Sequence, residues 1–319
     1  MLHYLGSGPY CYTNSLAMVL GPDAPPPAVI ETLTGSPFGM QCIAGALPLF
    51  DPYGWDPEIG LGAAIALLGW RCERSHGGTP GEALDRLRAA CARGPVLVGP
   101  VDMGLLLYQP GTPSPDGGDH YVVVLRADEE RVRLHDPHGH PYATLPTGAF
   151  LAAWEGESVA YTDAPYVLRT GFVREREVGG DEALRRSLPG AVRWLAGRDD
   201  LPVPPGSVGG TAAAEELAAR LSRGGLEPGV RTLLTAFGVR VGARRLGDAA
   251  RCLAVLGLGE AAAIATEQAE IVGELQFLLV TGEDAEAARL LRRLAPTYER
   301  LRAALSAREP VRGDGATGP

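Results

Sequence analysis

The sequence contains no lysine, because all 29 basic residues are arginine. This absence excludes Walker-type phosphate loops, Schiff-base enzymes and Ser-x-x-Lys acylases, all of which need a lysine amine. The sequence also lacks any uninterrupted apolar run of about 18 residues, and the N-terminal MLHYLGSGPYCY lacks the basic and apolar regions of a signal peptide. We therefore expect neither a membrane span nor a secretory leader.

Cysteine and net positive charge are scarce as well. Five cysteines are scattered along the chain without a C-x-x-C pair, which argues against a disulfide framework or a zinc knuckle and favours a reducing cytoplasm. The formal charge of −9 disfavours nucleic acid and membrane surfaces as partners. Arginine-only usage with abundant Ala, Gly and Pro indicates a GC-rich coding sequence, so we expect a bacterial, cytoplasmic protein.

Three regions differ in composition. Residues 1–178 combine short helical segments with β-type runs, residues 179–308 are rich in Ala, Leu, Arg and Glu with helical periodicity, and residues 309–319 have too few apolar side chains to order themselves. We predict a domain of mixed helices and strands, an all-helical domain and a disordered tail over these ranges. The Pro- and Gly-rich segment 199–210 is either a linker or a loop within the helical domain.

The first candidate functional residue is Cys11. It stands at the start of a predicted helix, Cys11 to Leu20, which begins after the Gly8-Pro9 turn. A thiol in the first helical turn lies at the positive end of the helix dipole, which favours the thiolate. Cys11 is therefore the candidate nucleophile, although a cysteine on an apolar helix is often only a core residue.

A predicted β-hairpin carries two further candidates. Strand 120–127, a short acidic turn and a returning strand 131–136 would pair Ala127 with Arg131, so that His120 and Asp136 become diagonal neighbours on one face. His120 would then act as general base and Asp136 would orient its ring. Taken alone, however, a histidine at a strand end is usually only a hydrogen-bonded polar residue.

The HDPHGH segment permits a rival interpretation. His135, Asp136, His138 and His140 are good ligands for a divalent ion, but no second cluster of ligands accompanies them elsewhere in the sequence. A polar turn that closes the hairpin explains the segment as well. We therefore predict no metal site.

These segments resemble known proteins. The order Cys, His, Asp and the strand-end Asp-Pro resemble the papain-like cysteine fold of bacteriocin-leader peptidases. More closely, Cys11 with Ser15-Leu16, then PVLVGPVDMGLLLY and DHYVVVL, resembles the N-terminal domain of the butirosin biosynthesis protein H family. The GARRLGDAARCLAVLG stretch is similar to that family's C-terminal helical domain. The resemblance implies an α+β fold, with the Cys-bearing helix packed on an antiparallel sheet and an all-α domain following it.

The same resemblance implies an acyltransferase of natural-product biosynthesis. An acyl group would move from a carrier-protein thioester to Cys11 and then to an amine acceptor, with His120 and Asp136 completing the triad. Asp102 and Tyr108 fall where the family has an Asp and a Tyr before the His, and they are candidate substrate-binding residues. They are also readable as a strand-end turn and a packed aromatic. No cofactor is implied beyond the phosphopantetheine of the carrier.

The sequence departs from the papain-like pattern at the residue that would stabilise the oxyanion. Papain-like peptidases place a Gln six residues before the cysteine, whereas Leu5 occupies that position here. The Cys11 amide remains a donor, and the side-chain candidates are Tyr4, Ser7, Asn14 and Gln41. The missing Gln argues against ordinary proteolysis and is tolerable for thioesters, which need less activation than amides.

The helical half leaves three roles open: a lid over the pocket, a homodimer surface, or a docking site for an acidic carrier protein through its arginines. The overall alternatives are a cysteine peptidase or amidase, a carrier-releasing cyclase of the same fold, and a non-catalytic binding module.

Overall fold

The computed structural model describes residues 10–111, 113–115, 118–162 and 164–307. These described residues form two compact units, one made of residues 10–34 and 56–183 and the other of residues 35–55 and 184–307. The predicted domain break after residue 178 lies close to the second junction. The inclusion of residues 35–55 in the second unit was not predicted.

The first unit is built around a six-stranded antiparallel sheet of order β3-β8-β4-β5-β6-β7. Its strands are β3 (Trp70–Ser75), β4 (Val96–Asp102), β5 (Asp119–Ala127), β6 (Arg131–Asp136), β7 (His140–Pro146) and β8 (Leu168–Arg174). Its helices are α1 (Cys11–Leu20), α2 (Pro27–Leu33), α3 (Pro57–Leu67), α4 (Pro80–Cys91) and α5 (Thr147–Glu155). The predicted α+β class is thus confirmed, as is the helix that begins at Cys11.

The central strand β5 has both faces covered. Five consecutive residues, 120–124, are buried, and a continuous buried run indicates packing on both sides of a strand. Leu87 of α4 and Trp154 of α5 belong to the same core cluster as Val122 and Val124. Helix α1 also contacts β5, where the Ser15 hydroxyl donates a hydrogen bond to the Tyr121 carbonyl at 3.1 Å. These contacts hold the start of α1 near the start of β5.

The hairpin register corrects one expectation. Ala127 pairs with Val132 rather than with Arg131, because the turn is one residue longer on the β6 side than predicted. An irregularity between Val124 and Arg126 offsets this difference, so that Val123 stands opposite His135. The continuation of that register places Asp136 opposite residue 122, as predicted.

The second unit is mainly helical. Its helices are α6 (Gly180–Ala196, whose first four residues belong to the first unit), α7 (Gly210–Arg223), α8 (Pro228–Leu233), α9 (Val239–Val255), α10 (Gly259–Thr281) and α11 (Asp284–Ser306). A π-helical turn, Leu234–Gly238, joins α8 to α9. The all-α expectation is wrong in one respect, since β1 (Gln41–Ile43) pairs with β2 (Leu47–Leu49) and with β9 (Val208–Gly209). Segment 199–210 is therefore a loop that ends in a strand, and the predicted tail 309–319 lies outside the described residues.

None of the described helices is both long enough and apolar enough to cross a membrane.

Candidate functional site

Cys11, His120 and Asp136 come together in the first unit. Cys11 is the first residue of α1 and its side chain is half-buried, in hydrogen-bond contact with the His120 ring. The Nε2 atom of His120 lies 2.7 Å from Oδ1 of Asp136. Because Asp136 occupies Nε2, Nδ1 is the ring nitrogen left for the thiol. The arrangement is a thiol, an imidazole and a carboxylate in series.

The imidazole favours its protonated form. His120 is 3% exposed, and burial alone would lower its pKa, but its hydrogen bonds with Asp136 and Cys11 and the charges of these two groups raise the pKa to about 10. For Asp136, burial alone would raise the pKa, but His120, the His138 amide and Tyr108 together lower it to about 2. The two groups therefore stabilise each other's charged states.

Asp136 is held by four donors. Oδ1 accepts from His120 and from the His138 amide at 2.6 Å, while Oδ2 accepts from the Tyr108 hydroxyl at 2.9 Å and from the Gln109 amide at 3.3 Å. Burial, followed by the Asp136 charge, raises the pKa of Tyr108, so its hydroxyl stays protonated and able to donate. Tyr108 thus contacts the carboxylate of the cluster, a role that differs from the substrate binding predicted for it.

Asp102 is engaged elsewhere. It is 1% exposed at the end of β4, where Oδ1 accepts from the Gly104 amide at 2.9 Å and Oδ2 accepts from the Ser158 hydroxyl. This corresponds to the strand-end turn that was the alternative for this residue. Both carboxylate oxygens thus have partners within the fold.

The candidate oxyanion donors do not all lie in the unit that contains Cys11. Asn14 lies one turn after Cys11 in α1, and its side chain is half-buried. Gln41 belongs to the second unit, where its amide donates to Asp51 at 2.6 Å and to the Trp55 carbonyl. Tyr4, Leu5 and Ser7 lie outside the described residues. Of the side-chain candidates that are described, only Asn14 belongs to the unit that contains Cys11.

The metal alternative gains no support. Among the described residues, no group of three or more His, Cys, Asp or Glu side chains could hold a metal ion. His135 instead accepts a hydrogen bond from the Tyr142 amide at 3.1 Å, and His140 packs against Tyr108 with the ring centroids 5.4 Å apart.

An ionic network next to β5 holds the side chain of Tyr121, the residue that follows His120. The Tyr121 hydroxyl donates to Glu58 at 3.0 Å, and Arg169 forms a bidentate pair with the same carboxylate at 2.7 and 2.9 Å. Tyr161 contacts the Tyr121 hydroxyl and donates to Asp119 at 2.9 Å. The residues on both sides of His120 are therefore anchored by side-chain hydrogen bonds.

The residue after Cys11 is anchored in a similar way. Glu31 of α2 is fully buried, and it accepts hydrogen bonds from Tyr12 at 2.6 Å and from Thr13 at 2.5 Å. Sequence reasoning missed Glu31, Glu58 and Gln109. Only Gln109 carried a usable signal, since it directly follows a residue that had been singled out.

The described fold and cluster define an α+β protein with a buried Cys–His–Asp constellation and a largely helical C-terminal region. Residues 204–306 of that region match the family described as the YobF C-terminal domain. The chain is 34% identical over 164 residues to a Bacillus subtilis (strain 168) protein called Uncharacterized protein YobF, and this alignment covers 50% of the chain and 53% of the relative. The chain thus spans about half the length of this curated relative, whose name assigns no activity.

Proposed function

We propose that the protein is a cysteine-dependent acyltransferase with a papain-like first domain. The observation that carries this proposal is the chain of contacts from the Cys11 thiol through His120 to Asp136. A nucleophile within reach of a base that is itself oriented by a third group is the recurring arrangement of covalent acyl transfer. The resemblance of the Cys11 and His120 segments to the butirosin biosynthesis protein H family supports the same assignment.

The first half-reaction starts from an ion pair in which the proton of the Cys11 thiol already resides on the His120 ring, and the thiolate attacks the carbonyl carbon of an acyl thioester. The tetrahedral intermediate collapses with cleavage of the bond to the carrier sulfur. His120 returns the proton to that leaving thiolate, and the acyl group remains on Cys11. Asp136 keeps the ring oriented and stabilises the imidazolium throughout this half-reaction.

In the second half-reaction, an amine attacks the acyl-Cys11 carbonyl and loses a proton to His120. The Cys11 thiolate departs, and the product is an amide. In both steps, the backbone N–H of Cys11 donates a hydrogen bond to the developing oxyanion at the positive end of α1. Asn14 is the side-chain donor that we favour. No cofactor takes part except the phosphopantetheine arm of the carrier substrate.

The partners follow from this chemistry as parts of the proposal. The acyl donor is a carrier protein, the acceptor is a small amine of a natural-product scaffold, and the setting is the bacterial cytoplasm. The helical domain would serve as a homodimer surface, a lid or a carrier-docking surface.

A second candidate function, hydrolysis by a cysteine peptidase or amidase, uses the same three residues. Its acyl donor is an amide, so His120 gives its proton to a leaving amine in the first half-reaction, and water replaces the amine acceptor in the second. A carrier-releasing cyclase instead starts from the carrier thioester and uses an amine or hydroxyl of the acyl chain itself as the acceptor. A non-catalytic binding module would keep the fold without a reactive Cys11.

Intact-protein mass spectrometry after incubation with a panel of acyl N-acetylcysteamine and pantetheine thioesters tests the proposal. We expect an added acyl mass on the wild type and on Cys91→Ala, but none on Cys11→Ala. Cys91 is the matched control because its thiol is also half-buried.

The rate at which different acceptors remove the acyl group then distinguishes between the candidate functions. Faster loss of the adduct with amines, together with the amide product, supports transfer, whereas loss at the same rate in water alone supports hydrolysis. No adduct from any thioester would overturn the enzyme assignment and favour the binding module.

A further inference from the structure

A group of basic and aromatic side chains lies on one face of strands β5, β6 and β7, although the chain has a formal charge of −9. We call Arg126, Arg133, His135 and Tyr142 the basic cluster. Arg133 and His135 flank the buried Leu134 in β6, so both side chains lie on the face opposite the core formed with α4 and α5. Arg126 stands directly opposite Arg133. Like charges that face each other across two strands destabilise a sheet, so this pair calls for an explanation.

The described part of the chain leaves most of this positive charge without a carboxylate. Arg126 lies 3.9 Å from the Asp128 carboxylate, and both of these side chains are exposed to solvent, which weakens such a pair. Arg133 and His135 form no ion pair with any described residue. The basic cluster can therefore accept an anion from solution.

Tyr142 orients two members of the cluster. Its ring centroid lies 5.0 Å from Cζ of Arg133 and 4.4 Å from the centroid of the His135 ring. The Tyr142 backbone amide donates to Nδ1 of His135 at 3.1 Å. The neutral imidazole must then carry its proton on Nε2, which makes that atom a hydrogen-bond donor.

Tyr142 holds these side chains from a strained backbone conformation. Its φ of +58° lies in the left-handed region, which is unfavourable for a bulky residue, and its side chain is 60% exposed. Burial of the ring therefore does not explain why a tyrosine occupies this position. Strained residues of this kind concentrate at ligand sites, which is a second indication of a ligand, independent of the charge.

The basic cluster lies on the sheet face that also carries α1. His135 stands opposite Val123, and residues paired across two strands share a face. Tyr121 lies on the same face two residues earlier, and its ring packs edge-on against Tyr12 of α1, with the centroids 6.1 Å apart. The cluster is therefore beside the helix that begins with the candidate nucleophile.

The distance from the candidate site suits a phosphopantetheine arm. Arg133 stands three residues before Asp136 in β6, which corresponds to about 10 Å along the strand. Roughly 13 bonds separate phosphorus from sulfur in the arm, as many as in about four residues of extended chain, so the arm can span about 15 Å. A donor with its thioester at Cys11 can therefore place its phosphate at the cluster.

We propose that the basic cluster binds the phosphate of the acyl donor's phosphopantetheine arm. The Arg133 guanidinium and Nε2 of His135 donate hydrogen bonds to the phosphate oxygens, and Arg126 adds positive charge. This inference rests on the proposed function, because it names the part of the donor that the same site recognises. A carrier protein and coenzyme A both present this phosphate, and the last experiment distinguishes them.

Calorimetry with full-length Cys11→Ala measures binding without acyl transfer. The matched ligands are 4′-phosphopantetheine and pantetheine, which differ only in the phosphate. We expect phosphopantetheine to bind at least about tenfold more tightly, and Arg133→Met to weaken its binding about 10- to 100-fold without affecting pantetheine. Because Arg133 faces Arg126, its replacement should not destabilise the fold. The control is Arg71→Met, in β3 at the opposite edge of the sheet, and it should change neither affinity.

Tyr142→Gly tests the role of the strained residue. Glycine adopts a φ of +58° readily, so the thermal midpoint should not fall. Loss of the ring that orients Arg133 and His135 should nevertheless reduce the preference for phosphopantetheine over pantetheine. An unchanged preference would contradict the role that we assign to Tyr142.

The source of the phosphate follows from acylation of Cys11 by acetyl-coenzyme A and by an acetylated carrier protein, with intact mass as the readout. A rate that falls about tenfold in Arg133→Met with both donors supports recognition of the shared phosphate, and a fall with one donor identifies that donor as the source.

The inference and the proposed function can fail separately. Equal affinity for phosphopantetheine and pantetheine, or unchanged affinity in Arg133→Met, would overturn the inference even if thioesters still acylate Cys11. Phosphate-dependent binding by a protein whose Cys11 is never acylated would instead support the phosphate site and overturn the proposed function.

Discussion

Replacing Asp136 with Asn would remove a negative charge from the His120 ring while keeping most of the local packing. The Asn oxygen can still accept from His120 Nε2 and from the His138 amide, which now lie 2.7 and 2.6 Å from Oδ1. The Asn nitrogen would face the Tyr108 hydroxyl, which can turn to accept a hydrogen bond. The substitution therefore tests the charge of Asp136 separately from the size and shape of its side chain.

The expected effect is on the pKa of His120, which the contacts with Asp136 and Cys11 now raise to about 10. Loss of an opposite charge at hydrogen-bond distance lowers such a pKa by about 1–3, so we expect a value of about 7–9 in Asp136→Asn. An imidazole with a lower pKa is a weaker base toward the thiol, so alkylation of Cys11 at pH 7 should become slower.

NMR titration of the histidine ring signals measures this pKa directly, with His120 assigned by comparison with His120→Gln. The protein has six histidines, and because His138 and His140 neighbour Asp136, the signal of His76 serves as the internal control. A His120 pKa that is the same in the wild type and Asp136→Asn would refute the reasoning. A wild-type pKa below 6.5 would do so as well.

Two further predictions concern the residues around the cluster. Tyr108→Phe removes a hydrogen bond to the Asp136 carboxylate, so we expect the acylation rate of Cys11 to fall about tenfold with little change in thermal stability, as measured by intact mass and by calorimetry. Arg169→Met removes the bidentate partner of the partly buried Glu58 carboxylate, which keeps its hydrogen bonds from Arg74 and Tyr121, so we expect about 1.5–3 kcal/mol lower stability in urea unfolding at pH 7. In the wild type, burial alone would raise the pKa of Glu58, but Arg169 and, to a smaller extent, Arg74 outweigh it and lower that pKa. This stabilisation is therefore present above about pH 4.5 and is lost as the pH falls through the lowered pKa, and Arg169→Met should lose most of that pH dependence.

The parts of the site that follow from local sequence were predictable. A thiol after a Gly-Pro pair and before an apolar run indicated the start of α1, and the predicted hairpin of β5 and β6 brought His120 to Asp136. The pairing at the turn was wrong by one residue, and the irregularity near Leu125 offset that error. A bulge of this kind cannot be recognised from the order of apolar and polar residues. The predicted register near the site was therefore correct only because the error at the turn and the unpredicted bulge cancel each other.

Long-range pairing explains what could not be predicted. Strands β1 and β2 have three residues each, which is too short to show a period, and β1 pairs with Val208 about 165 positions away. Glu31 and Glu58 could not be found from the sequence, because burial of a carboxylate depends on partners from distant segments. Gln109 lies in a Pro- and Gly-rich loop whose path the sequence does not fix.

The most direct test of the account compares the alkylation of Cys11 and Cys91 by iodoacetamide within one molecule, with peptide mass spectrometry as the readout. Both thiols are half-buried, but burial raises the pKa of Cys91 to about 11. At pH 7 only about one Cys91 in ten thousand would be thiolate. We predict that Cys11 reacts at least about 100-fold faster than Cys91, and that His120→Ala removes most of this difference. Equal rates at the two cysteines, or a Cys11 rate that is unchanged in His120→Ala, would contradict the claim that Cys11, His120 and Asp136 act as one unit.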